Sequence, residues 1–180
     1  PGVTIQREYS PTAGDLSVRG SQPGDNRYYL DGIEIPNTLV WSPDGRTLYF
    51  GDSGKQTLFE YPFEPDDGSL GPAKRFVSTQ GDTPTPDGSC VDVDGYVWNC
   101  QWNGWRVVRY SPRGEIDRVI EMPVARATSC CFGGPELDTL FITSARVGLT
   151  EHELVEQPLA GSVFALRPGV RGLPATLFRG

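Results

Sequence analysis

Short hydrophobic runs along this chain alternate with turn residues, and the pattern repeats. Three segments, 37–53, 87–102 and 128–146, each contain an apolar run, a turn and a second apolar run. The turns are the dipeptides Asp44-Gly45, Asp94-Gly95 and Gly133-Gly134. Glycine readily adopts the positive φ that tight hairpin turns need, so these dipeptides between apolar runs predict three β-hairpins.

Two further strand patterns follow each predicted hairpin. The third strands of the repeats are Thr57–Phe63, Arg106–Ser111 and Ser162–Arg167. The fourth strands are Ala73–Ser78, Ile116–Glu121 and Ala175–Phe178. Units of four antiparallel strands that recur every ~40–50 residues are typical of β-propeller blades. A β-sandwich or a β-meander is the alternative if the repeats resemble each other by accident.

The repeats therefore predict an all-β fold, a β-propeller of four-stranded antiparallel blades. Residues 1–180 are part of one propeller domain, with the end of a preceding blade at 1–36 and successive blades at 37–80, 87–122 and 128–180. Strand patterns at Asp15–Arg19 and Arg27–Leu30 account for the preceding blade, which gives about three and a half blades in all. Open strand edges invite pairing, so we expect the rest of the ring either before Pro1 or in a second chain.

Composition and charge narrow the range of functions. Glycine (22) and proline (16) leave little room for long helices. The net charge of −7 argues against a nucleic-acid binder, and no run approaches the ~18 apolar residues of a membrane span. The one histidine, His152, removes most histidine-based hydrolase and zinc chemistry. Four cysteines without Cys-x-x-Cys spacing, two of them adjacent at Cys130 and Cys131, fit a reduced interior, so we expect a cytoplasmic protein.

Three polar residues share one position in the superposed repeats. Asn37, Asp87 and Thr128 each stand at the beginning of a blade's first strand. That strand lines the central channel of a propeller, so these side chains are expected to meet near its axis. Amide, carboxylate and hydroxyl oxygens are hard ligands that suit Ca²⁺ or a similar divalent ion. The local alternative, that Asn and Asp serve as turn or cap residues, applies most to Asp87 because Gly88 follows it.

A second set of side chains is expected at the channel mouth, where the second strands end. There Arg146 offers forked hydrogen bonds to a polyhydroxylated or anionic substrate, and Trp102 offers a flat wall for a sugar-like ring. The alternatives are a surface ion pair for Arg146 and packing between blades for Trp102. The segment 147–160, which contains His152 and three glutamates, is interpreted as a lid over this face or as a solvated loop.

Four motifs carry a family resemblance. They are Asn37-x-Leu-x-Trp-Ser-Pro-Asp-Gly, Pro86-Asp87-Gly88-Ser-Cys, Thr128-Ser-Cys-Cys-Phe-Gly-Gly134 and Thr143-Ser-Ala-Arg146. In this order and spacing the chain resembles the regucalcin/gluconolactonase/luciferin-regenerating-enzyme superfamily, and within it the bacterial sugar-acid lactonases. The resemblance implies a six-bladed propeller with one divalent cation in its channel, of which this chain matches the C-terminal half.

The resemblance also implies ligands and a reaction. Asn37 and Asp87 match two cation ligands of the family, and a third ligand, a Glu, would lie before Pro1. Thr38 departs from the glycine that often follows the Asn, and its β-branched side chain restricts the backbone. The cation implied is Ca²⁺ first, with Zn²⁺, Mg²⁺, Mn²⁺ or Fe²⁺ as alternatives. The reaction implied is hydrolysis of a small sugar lactone, with Asp87 as the catalytic base.

Three rivals remain at this point, the last of them a related propeller hydrolase that acts on phosphotriesters or larger lactones. The first is a calcium-binding regulatory propeller of the same family without turnover. The second is a protein-interaction propeller, although the chain lacks the Gly-His and Trp-Asp dipeptides typical of WD repeats.

Overall fold

The computed structural model describes residues 37–175 and the backbone of two short strands before them. The chain divides into two compact units, Pro1–Pro36 and Asn37–Gly180. In the first unit, β1 (Tyr29–Leu30) pairs antiparallel with β2 (Ile33–Glu34). The strand expected at Asp15–Arg19 lies outside the described residues. The assignment of residues 1–180 to one propeller therefore stays a prediction.

The second unit consists of antiparallel sheets in which neighbours in sequence are neighbours in space. The first sheet contains β3 (Thr38–Trp41), β4 (Thr47–Asp52), β5 (Thr57–Pro62) and β6 (Lys74–Ser78). The second contains β7 (Thr85–Val91), β8 (Val97–Trp102), β9 (Arg106–Tyr110) and β10 (Ile116–Glu121). The third contains β11 (Ala127–Gly133), β12 (Thr139–Ser144) and β13 (Val163–Leu166). Its expected fourth strand, Ala175–Phe178, lies outside the described residues except for Ala175. Four-stranded meanders in series confirm the all-β, blade-based architecture.

The predicted hairpin turns are confirmed by their backbone conformation. Gly45, Gly95 and Gly134 have φ values of 70°, 81° and 84°. This left-handed region is open to glycine without strain from a β-carbon. The three dipeptides therefore fix where each first strand reverses, and with it which residues stand at the beginning of that strand.

The core lies between successive sheets. Between the second and third sheets, Trp98, Val107, Cys130, Leu140 and Ile142 belong to one buried cluster. Smaller clusters join the first sheet to the second, for example around Leu58, which is fully buried. Each blade thus buries one sheet face against the next blade, and the first strands β3, β7 and β11 are in contact as neighbours.

A buried ion cluster stabilises the second sheet. The Arg109 guanidinium contacts Asp92 at 2.7 Å and Asp117 at 2.8 Å, and it stacks 3.7 Å from the centre of the Tyr96 ring. Asp92 also accepts a hydrogen bond from Trp98 Nε1 at 2.9 Å. Because Asp92 is fully buried and each of its oxygens is hydrogen-bonded, the pair fixes the β7–β8 turn rather than offering a reactive site.

The segment 147–160 contains the short helix α1 (Glu151–Glu156). Thr150 and Glu153 form a capping box at its beginning. The segment packs on the core through Leu154 and Ala160, and buried Gln157 Oε1 accepts a hydrogen bond from the Ala125 amide at 2.7 Å. It is therefore a docked cover and not a solvated loop. Among the described residues no helix is long and apolar enough to span a membrane.

Candidate functional site

Two of the three channel positions found in the sequence lie at irregularities of their strands. On β7, Pro86 pairs with Gln101 and the next pair is Ser89 with Asn99, so Asp87 and Gly88 together face one residue of β8. On β11 the register also shifts, at Thr128. A β-bulge leaves a residue outside the regular ladder and turns its side chain in a new direction. Asp87 thus lies within a strand, not in the turn that the local alternative required.

The first strands of the three blades lie side by side. β7 packs beside β3 on one side and beside β11 on the other. A β-carbon on Gly88 would lie 2.5 Å from Ser129 Oγ and 2.8 Å from the Thr128 carbonyl oxygen. Glycine at this position therefore allows β7 and β11 to approach where Asp87 and Thr128 are found. The bulges and the close approach bring the predicted channel positions into one region.

Asn37 is tied to the Asp87 strand through Ser53. The Ser53 hydroxyl donates to the Pro86 carbonyl at 2.7 Å. Its single proton is then used, so it accepts from Asn37 Nδ2 at 2.8 Å. This directs the amide nitrogen of Asn37 toward Ser53 and leaves Oδ1, the atom that binds cations, on the other side of the amide group. None of the hydrogen bonds in the described part of the chain uses Asn37 Oδ1.

The Asp87 carboxyl is half-buried and has no charged partner among the described residues. Burial raises its pKa to about 6, opposed by a hydrogen bond from the Gly88 amide. Within residues 37–175, no lysine, arginine or histidine forms an ion pair with Asp87. A half-buried carboxylate in this position is stabilised by a nearby positive charge, and a divalent cation supplies one.

The donor set fits a hard divalent cation in part. Asn37 offers an amide oxygen, Asp87 a carboxylate and Thr128 a hydroxyl, which also contacts Thr143 Oγ1 at 2.8 Å. In the described residues no group of three or more His, Cys, Asp and Glu side chains is arranged to hold a metal ion. Three candidate side chains underfill a site that takes six or more oxygens, so further ligands have to come from outside these residues.

Three polar side chains that sequence reasoning did not assign lie behind Asp87. Thr38 and Asn99 are fully buried, and Ser89 lies between them. Thr38 Oγ1 donates to the Asp87 carbonyl oxygen at 2.5 Å and contacts Ser89 Oγ at 2.8 Å. Asn99 Nδ2 donates to the same carbonyl at 2.9 Å and to Ser89 Oγ at 3.0 Å. We call Thr38, Ser89 and Asn99 the inter-blade polar chain, since it joins β3 to β7 and β8.

One residue of this inter-blade polar chain was distinctive in the sequence. Thr38 was recognisable as a departure from the family pattern, and the structure places its hydroxyl against the backbone of Asp87. Gly51 makes room for it, since a β-carbon on Gly51 would lie 2.7 Å from Thr38 Cβ. Asn99 gave no signal, because a single amide within an apolar strand is not distinctive before its neighbours are known.

The two residues expected at the channel mouth, Trp102 and Arg146, differ in their exposure. Trp102 is half-buried, and the Arg126 guanidinium carbon lies 4.9 Å from the centre of its ring. Arg126 also donates to Asn103 Oδ1 at 3.1 Å, to the Val147 carbonyl, and to the Gly148 carbonyl at 3.2 Å. Arg126, which the sequence analysis did not select, therefore covers one face of Trp102 and pins the segment 147–160.

Arg146 and His152 are both exposed. The Arg146 guanidinium forms no hydrogen bond or ion pair with the described residues, and because the residue is exposed the group is accessible to solvent. His152 is on α1, where its side chain pairs with Glu156 at 3.8 Å. Substrate binding by Trp102 and Arg146 stays a prediction.

Comparison with known proteins identifies similar chains. A family model described as the SMP-30/Gluconolactonase/LRE-like region matches residues 4–146. Regucalcin of Bos taurus is 34% identical over 154 residues, which is 84% of this chain and 52% of that protein. The crystal structure of a calcium-binding protein, regucalcin, from Agrobacterium tumefaciens superposes with a TM-score of 0.76 at 34% identity, covering 81% of this chain and 50% of the other.

A third similar protein is a gluconolactonase of Xanthomonas campestris. Its structure superposes with a TM-score of 0.52 at 32% identity and covers 60% of this chain and 34% of its own. The chain spans about half the length of the curated relatives it matches. Which half of the family fold it corresponds to stays a prediction.

Proposed function

The chain belongs to the SMP-30/gluconolactonase/LRE-like family, and on that premise we propose that it contributes to a divalent-cation-dependent hydrolase that opens sugar-acid lactones. The observation that carries the proposal is the Asp87 bulge. It holds a desolvated carboxyl without a cationic partner among the described residues, beside an asparagine whose amide oxygen is left free. The similarity to a gluconolactonase supports the choice of substrate class.

The proposed cation ligands are Asn37 Oδ1 and the Asp87 carboxylate, with the Thr128 hydroxyl as a further oxygen. A bound divalent cation polarises an ester carbonyl and stabilises the negative charge that develops on its oxygen. We take Ca²⁺ as the cation, since the ligands are hard oxygens and a similar protein is described as calcium-binding.

Asp87 has the second role of moving a proton. Its carboxylate accepts a proton from the water that attacks the acyl carbon, and this proton then passes to the ring oxygen as the carbonyl carbon–ring oxygen bond breaks. Lactone and water thus give the open hydroxy acid without a covalent nucleophile. Arg146, exposed at the proposed mouth, is available to orient the hydroxyl groups of the substrate.

An assay of aldonolactone opening tests this function. We expect hydrolysis that requires millimolar Ca²⁺ or Mn²⁺, stops on addition of a chelator, and falls about 100-fold or more in Asp87→Asn. Asp66→Asn is the matched control, since Asp66 is an exposed carboxylate in the turn after β5 and should leave the rate unchanged. Cation-independent hydrolysis, or a wild-type rate in Asp87→Asn, would contradict the proposal.

A calcium-binding role without turnover is the second candidate. It is retained because relatives are named regucalcin and one similar protein is described as calcium-binding. The two roles separate in one experiment: cation binding that depends on Asp87, with no cation-dependent opening of any aldonolactone, would assign the non-catalytic role.

A further inference from the structure

The inter-blade polar chain takes no part in the proposed reaction, yet it contacts the residue on which that reaction depends. The carbonyl oxygen of Asp87 accepts two side-chain hydrogen bonds, from Thr38 Oγ1 at 2.5 Å and from Asn99 Nδ2 at 2.9 Å. One donor comes from the neighbouring blade and the other from the neighbouring strand. Both donors are fully buried, so water does not compete with either bond.

The position of these bonds matters because of the bulge. Asp87 and Gly88 lie where β7 leaves the regular pairing with β8. A bulged residue lacks the ladder hydrogen bonds that fix the backbone elsewhere in a strand. Thr38 and Asn99 supply side-chain hydrogen bonds to the backbone where the β7–β8 ladder is interrupted. The direction of the Asp87 side chain depends on the backbone conformation that these bonds hold.

The inter-blade polar chain contains a destabilising group that packing alone does not explain. Asn99 Oδ1 is buried and has no hydrogen-bond partner within the described residues. A buried polar atom without a partner destabilises the fold, and an apolar side chain of similar size would avoid it. Glycine at residue 51 leaves room for the Thr38 side chain as a whole, since a β-carbon there would lie 2.7 Å from Thr38 Cβ. An unfavourable group beside a candidate site suggests a role in function.

We propose that Thr38 and Asn99 are positioning residues, which hold the Asp87 bulge in the conformation that aims its carboxylate toward the cation. The inference rests on the proposed function for the nature of the ligand, but the hold on the backbone is a property of the protein without cation. From the sequence, Thr38 was interpreted only as a β-branched residue that restricts the backbone. As a positioning residue it has a supporting role, because its hydroxyl holds β7, the strand that carries the ligand Asp87.

Variants that keep shape and remove hydrogen bonds test this inference. Asn99→Val removes the donor and the unpaired oxygen together, and Thr38→Val removes only the hydroxyl. Thr38→Ser keeps the hydroxyl and serves as the rescue control. The readouts are cation affinity by NMR titration with Ca²⁺, thermal unfolding without cation, and relaxation dispersion of the Asp87 and Gly88 amides in cation-free protein.

We expect Asn99→Val to weaken cation binding about tenfold, the loss typical when a partner of a metal ligand is removed. Its midpoint of thermal unfolding should stay equal or rise, which a purely structural role for Asn99 would not produce. Millisecond exchange should appear at Asp87 and Gly88 in both valine variants. Thr38→Ser should bind within about twofold of the wild type, since its hydroxyl keeps the bond.

The outcomes separate this inference from the proposed function. If the wild type binds no divalent cation, the proposed function fails, and the cation-free relaxation data still decide the positioning role. Bulge amides that remain as rigid in both valine variants as in the wild type would overturn the inference. A mobile bulge combined with wild-type affinity would overturn it equally, because the hold would then not affect the ligand.

Discussion

The Asp87 carboxyl is the proposed cation ligand, and its burial also destabilises the native protein when the group is ionised. Burial raises its pKa to about 6 from an ordinary value of 3.8. A carboxyl whose pKa is raised on folding binds its proton more tightly in the native state, so stability falls as pH rises from about 4 through 6. The penalty is complete above pH 6, where the native protein carries the desolvated charge.

Asp87→Asn should therefore stabilise the cation-free protein at pH 8 but not at pH 4. The asparagine resembles the protonated acid and carries no charge to desolvate. We expect a gain of about 1–2 kcal/mol in the free energy of unfolding at pH 8, since the group is partly exposed and solvent reduces the full effect. Urea denaturation with a chelator present measures it at both pH values. An equal effect at pH 4 and pH 8 would show that charge is not the cause.

At the residue scale, the sequence identified the positions of the candidate site residues but not the side chains that contact them. Asn37 and Asp87 were found because the repeats superpose, and their strands are adjacent in the structure. The sequence could not show that Ser53 orients the Asn37 amide, because that bond joins residues 16 apart across a hairpin. Nor could it show Arg126 over Trp102, since a lone arginine between two strands carries no pattern of its own.

At the scale of elements, the bulge on β7 depends on a close approach to β11. A β-carbon on Gly88 would clash with the side chain of Ser129 and the carbonyl of Thr128. Gly88→Ala should destabilise the protein by about 1–3 kcal/mol, the range for overpacking a tight contact. It should also weaken cation binding, because the clash displaces the strand that carries Asp87.

A double variant distinguishes the clash of a β-carbon at residue 88 from the loss of glycine's backbone freedom there. Ser129→Gly removes two of the three close atoms, so combining it with Gly88→Ala should recover part of the lost stability. Urea denaturation of the four proteins in the cycle gives the coupling. Purely additive effects would mean that the two residues do not meet at this contact.

The strands were easier to predict than the conformation of the segment 147–160, for a physical reason. Hairpins with glycine at the turn are specified locally, and the observed strands begin and end within a few residues of the predicted ones. The helix α1 was missed, although Thr150 and Glu153 form a capping box that stands in the sequence. Six helical residues give less than two turns of periodicity, so the docking contacts of Gln157 and Ala160 decide the conformation.

At the scale of the whole molecule, blade packing places the strands that carry the candidate ligands side by side. Each sheet contributes one first strand, and the buried clusters between sheets fix the spacing of these strands. Neither Asn37 nor Asp87 forms a cation site alone. The candidate oxygens among residues 37–175 underfill a site that takes six or more, so we expect this chain to bind cations weakly, in the millimolar range.

We propose that successive blades present oxygen ligands to one cation near Asp87. Paramagnetic broadening by Mn²⁺ in amide NMR spectra is the decisive measurement, since the effect is detectable for weak binding. At low Mn²⁺ concentration we expect broadening centred on Asn37, Asp87 and Thr128 that disappears in Asp87→Asn. Broadening centred instead on the exposed glutamates of α1, and unchanged in Asp87→Asn, would contradict it.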